Sequence, residues 1–168
     1  MHWTRLVLVI LLATILQLML NNFLNIAFRP DLLIIVMVFF VANTEGNWPI
    51  IAAFVAGFAT DLISPMSMMG PHTIAFGVTG SLLALARRSV TLDNAVFVGI
   101  AVFITCYVAG VLSQFLISFR QLTPSGAYLS LFWASLASAV IGPYIYSILG
   151  AASEFFGTRQ HRLGHRSK

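Results

Sequence analysis

Charge is what this sequence has least of. Its 168 residues include nine Lys or Arg and five Asp or Glu, so only 8% are charged. A soluble domain carries about 25%. The chain therefore cannot coat a water-facing surface, which excludes a soluble globular enzyme, a disordered chain and a nucleic-acid-binding domain. Cysteine is nearly absent as well. Cys106 is the only one and sits in an apolar run, so neither an intrachain disulfide nor a thiolate metal cluster can form. Also missing are H-E-x-x-H, a P-loop, a dinucleotide fingerprint and a serine in a G-x-S-x-G setting. No catalytic, cofactor-binding or metal-ligating set is expected, and no cofactor.

What the chain has in abundance is apolar residues, 59% of the total, with a mean hydropathy of +0.93. The composition points to an all-α, polytopic membrane helix bundle with little outside the bilayer. Six runs stand between polar breaks, at about 6–27, 31–43, 48–64, 71–86, 94–118 and 128–153. Pro30, Pro49 and Pro71 stand where helices begin, and there the missing N–H costs nothing. The second run is too short for a hydrocarbon core of about 30 Å. It either begins before the proline or is a partial helix buried against its neighbours. The first run follows Arg5 as a signal peptide would, but no small-x-small cleavage site follows it, and it reads as an uncleaved span.

Counting Lys and Arg gives the expected orientation. With six spans and the N-terminus inside, Arg5, Arg87, Arg88, Arg159, Arg162, Arg166 and Lys168 lie inside, and Arg29 and Arg120 lie outside. That is the positive-inside bias. Four spans, with the second and third helices as a re-entrant pair, would preserve it. The organisation expected is one transmembrane domain over 1–156 and a basic cytoplasmic tail over 157–168, able to contact anionic membrane lipid. His161 and His165 in that tail read as part of the basic segment.

Lipid tails are as apolar as leucine, so helix association relies on close packing through small residues. Ala53 and Gly57 lie four apart on the third run, and Ala134, Ser138 and Gly142 lie four apart on the sixth. Gly77 and Gly80 form a weaker pair on the fourth. Pro143 should kink the sixth helix. Asp61 is the most unusual residue, a carboxylate in the last turn of the third run. It is read either as a cap on the next helix through backbone N–H groups or as a proton or ligand site, and His72 could approach it. Arg29 and Asp31 flank Pro30 at the outer interface, in what reads as either a fixed turn or a solvated loop.

The stretch Arg29-Pro30-Asp31-Leu32-Leu33, then Gly57-Phe58-Ala59-Thr60-Asp61-Leu62, then Gly70, resembles the MreD family of rod shape-determining inner-membrane proteins. The motif likeness covers about 29–80; the layout likeness covers most of the chain. The resemblance implies a non-catalytic component of the lateral wall elongation machinery in the bacterial inner membrane. Implied partners are an MreC-like bitopic protein, RodA with its penicillin-binding transpeptidase, and indirectly the MreB cytoskeleton. The implied fold is similar to the six-helix substrate-binding subunits of energy-coupling vitamin transporters. Arg29, Pro30, Asp31, Gly57, Asp61 and Gly70 are then expected to form a partner or structural site. The sequence leaves open pairing with a second copy as a homodimer. The competing reading is a small-molecule or vitamin-binding uptake subunit, whose pocket would draw on Asn21, Asn22, Asn25, Arg29, Asp31, Asp61 and His72.

Overall fold

The computed structural model describes residues 3–23, 30–44, 46–64, 70–86, 94–119 and 127–155. Six helices and no strand occur among them: α1 (Trp3–Phe23), α2 (Leu32–Asn43), α3 (Trp48–Ile63), α4 (Pro71–Ala86), α5 (Ala95–Ser118) and α6 (Ala127–Phe155). They follow the six apolar runs closely. The expected extension of the first run to residue 27 and the basic tail lie outside the described residues. Many of these segments are rich in β-branched and aromatic residues, which are mediocre helix formers in water. In hydrocarbon the ranking loses its force, because a helix satisfies its own backbone without solvent.

Helix α2 is the axis of the bundle. Ten of its twelve residues, Leu32–Val41, are buried, and it packs against all five other helices. At about 1.5 Å per residue it is about 18 Å long, well short of a bilayer core of about 30 Å. Of the two possibilities for the short second run, the structure adopts the partial helix wrapped by its neighbours. Its backbone ends are thereby shielded from lipid.

The bundle has an apolar core with buried polar residues set into it, and an apolar exterior. Gln17, Thr44, Asp61, Thr79, Thr105, Ser113, Ser135 and Ser138 are all buried, while large apolar side chains face outward from α1, α3, α4, α5 and α6. Examples are Leu8, Phe58, Leu85, Ile104 and Val140. Two helices, α5 and α6, are long and apolar enough to cross a membrane; the other apolar stretches among the described residues are shorter.

Small residues set the two tightest helix pairs. Between α3 and α4, a Cβ added at Gly80 would collide with Ala53, and one at Gly57 would stand 2.7 Å from both the His72 carbonyl oxygen and the Thr73 Cα. Backbone thus approaches backbone at Gly57, and only glycine fits. Between α5 and α6, a Cβ at Gly142 would lie 3.2 Å from Val102, and Pro143 sits beside Gly99. Ser138 is fully buried there, with Cys106 Sγ 3.8 Å from its hydroxyl, and Ala134 is half-buried one turn earlier. Helix α6 continues through Pro143. The carbonyl of Pro143 accepts a 2.9 Å bond from Ser147 Oγ.

Candidate functional site

Two aspartates organise one end of the bundle, where α1 and α3 finish and α2 and α4 begin. A helix start leaves up to four backbone N–H groups without partners, and below the membrane surface water is not there to take them. Asp31 is the N-cap of α2: its Oδ1 accepts from Leu33 N at 3.1 Å and from Ile34 N at 3.2 Å. Gln17, projecting from α1, completes the cap. Its Oε1 accepts from Leu32 N at 2.9 Å, and its Nε2 donates to the Pro30 carbonyl at 3.2 Å. The Asp31 N–H donates to Ser138 Oγ at 2.9 Å, and Ser138 in turn donates to the Ala134 carbonyl at 2.9 Å.

This differs from a solvated turn at the outer interface. Pro30 is fully buried, and Asp31 bonds to a residue near the middle of α6. Helix α2 therefore starts inside the bundle rather than at its edge. Side chains from α1 and α6 take the place that water would have at a surface. Arg29 lies outside the described residues.

Asp61 caps a helix other than its own. It is only 4% exposed. Its Oδ2 accepts from Gly70 N at 3.0 Å, Thr73 N at 2.9 Å and Thr73 Oγ1 at 2.5 Å, and its Oδ1 accepts from His72 N at 3.1 Å. One carboxylate at the end of α3 thus ties down the start of α4. Gly70 makes this geometry possible: its φ of +123° lies where side-chain-bearing residues are strained. His72 does meet Asp61, but through its backbone N–H. Its ring instead packs edge-on against Phe76, with centroids 6.3 Å apart.

Between these two caps lies a cavity of about 170 Å³, bordered by Gln17, Asn21, Asp31, Thr60, Ser64 and His72, with Leu33 and Ile63 on its apolar side. Among the described residues, no group of three or more His, Cys, Asp or Glu is placed to hold a metal. Every fully buried side-chain nitrogen or oxygen there has a hydrogen-bond partner. Sequence reasoning passed over two members of this site. Gln17 was visible as an amide inside an apolar run, an expensive residue that needs a partner. Thr73 carried no comparable signal, since its hydroxyl matters only once Asp61 is beside it.

An apolar exterior around an apolar core with hydrogen-bonded polar residues set into it, helical among the described residues, is the build of a membrane helix bundle. The sequence pattern of the rod shape-determining protein MreD family matches residues 1–151, and the chain belongs to that family. Its role is therefore in determining rod shape. Nothing among the curated proteins or the solved structures matches it.

Proposed function

We propose that this protein is a non-catalytic, multi-pass component of the lateral wall elongation machinery in the bacterial inner membrane, with both termini cytoplasmic. In this reading it assembles an MreC-like bitopic protein with RodA and its penicillin-binding transpeptidase, and is linked to MreB only through them. The observation that carries the reading is the family match over 1–151. The use made of the polar residues supports the non-catalytic part. Asp61, Gln17 and Ser138 are each engaged in holding backbone groups. Partners would then be met chiefly by the apolar helix faces. A vitamin-binding subunit is less well supported, because the polar cavity of about 170 Å³ falls below the roughly 300–1,000 Å³ typical of ligand pockets.

Depletion in the host, followed by imaging, tests this. Rods should round or swell, and the partner's single-span protein should no longer co-purify with the synthase pair. Rods that hold their shape, with growth failing only when a vitamin is scarce, would sink the proposal in favour of uptake. Reporter fusions at each inter-helix segment test the six-span, N-in and C-in topology.

A further inference from the structure

We propose that the cavity between the two caps is a binding site for a primary ammonium group. The proposal is independent of the wall-elongation reading. Three observations carry it. The first is charge. Two helices end and two begin around the cavity, so their end charges of about half a unit each oppose one another. The carboxylates of Asp31 and Asp61 are left as the formal charges of the described residues at this end. Asp61 is saturated by four donors, whereas Asp31 commits only Oδ1. Its Oδ2 accepts no hydrogen bond from the described residues, and Asp31 borders the cavity.

The second observation is the shape of the acceptor set. With Asp31 Oδ1 already taken twice by α2, a planar guanidinium cannot make the two parallel bonds that favour it on a carboxylate. A compact ammonium with three rotatable donors needs only one carboxylate oxygen plus neutral acceptors. Asn21, Thr60 and Ser64 border the same space; Asn21 Oδ1 also accepts a long 3.5 Å bond from Gln17 Nε2, which leaves it a second lone pair. A quaternary ammonium seeks an aromatic cage, and among the described residues that border the cavity His72 alone carries a ring. The third observation is size. At about 30 Å³ per water, the volume of about 170 Å³ holds about six waters, enough for an ethanolammonium-sized group. That group could arrive as a free amine or as the headgroup of phosphatidylethanolamine.

The test uses the full-length protein in phosphatidylcholine nanodiscs, titrated with ethanolamine, tetramethylammonium or guanidinium while thermal unfolding is followed. A parallel sample is reconstituted in phosphatidylethanolamine nanodiscs. Ethanolamine should raise the melting temperature, since a ligand that binds only the folded state stabilises it; the other two cations should not. Asp31→Asn keeps a good N-cap but removes the charge. It should melt like the wild type without amine and bind ethanolamine about tenfold more weakly or worse. Stabilisation by the phosphatidylethanolamine discs alone assigns the site to lipid headgroup; stabilisation by free ethanolamine assigns it to a soluble amine. If Asp31→Asn does not fold, Ser64→Leu decides, because it narrows the cavity without touching the α2 cap, and it should abolish the shift. The proposal is overturned if no amine and no phosphatidylethanolamine stabilises the wild type. It is equally overturned if tetramethylammonium or guanidinium works as well as ethanolamine, or if the variants bind undiminished.

Discussion

Removing the Asp61 carboxylate is the sharpest perturbation the structure offers. An exposed N-cap replaced by alanine costs about 0.5–2 kcal/mol. Asp61 is 4% exposed and accepts four hydrogen bonds, three of them from the backbone of the Gly70–Thr73 start of α4. Asp61→Ala would strand those donors where water does not readily follow. Each unsatisfied buried group costs about 1–3 kcal/mol. With some relaxation, a total near 4 kcal/mol is expected, a large part of a typical stability of 5–15 kcal/mol. Asp61→Asn keeps one acceptor oxygen, enough for the Gly70 and Thr73 donors, but turns an NH₂ toward His72 N–H. Its expected cost is about half that of alanine. Chemical unfolding of the purified protein in detergent, followed by circular dichroism, orders the three proteins as wild type, Asn, Ala. Alanine within about 0.5 kcal/mol of wild type would refute the reasoning, because so exposed a cap could not have been buried. Equal loss in Asn and Ala would show that the charge, rather than the acceptor geometry, holds α4.

Further expectations follow from the same contacts. Gly57→Ala places a Cβ 2.7 Å from backbone atoms of His72 and Thr73, so α3 and α4 must part; a loss of about 1–3 kcal/mol is expected, read as a lower unfolding midpoint. Gln17→Leu strands Leu32 N–H and the Pro30 carbonyl and should cost about 2–4 kcal/mol, with amide exchange fastest at the first turn of α2. Ser138→Ala removes the acceptor of the Asp31 N–H and should destabilise by about 1–2 kcal/mol. The Gln17→Leu and Ser138→Ala losses should not add, since both act on one cap; strict additivity in a double-mutant cycle would show two separate sites.

Much of this architecture was legible in the chain. Scarcity of charge identified bilayer as the solvent, because 8% charged residues cannot cover a surface in water. Runs of apolar residues broken at Pro30, Asn47 and Gly70 marked helix limits, since those limits depend on local composition. Asp61 announced itself through the cost of a carboxylate in a span. Gly57 and Ala53 were visible as a packing stripe because small residues act through their own size.

Other features depended on the tertiary structure. In water, burial selects apolar residues and exposure selects polar ones; in a bilayer, both burial and lipid exposure select apolar residues. The sequence of α2 therefore does not say that it, rather than α5, is the enclosed axis. The bond from Asp31 to Ser138 joins residues 107 apart, and local periodicity carries no record of such a pair. Asp61 as a cap on the next helix could be read from its place at the end of the third run, but Gln17 closing the α2 cap, the Thr73 hydroxyl bonding to Asp61 and the cavity between the caps arise where four helix ends converge. Hydropathy adds up along the chain and so can be read from it, whereas which distant groups meet is decided only when helices of similar composition settle into one packing.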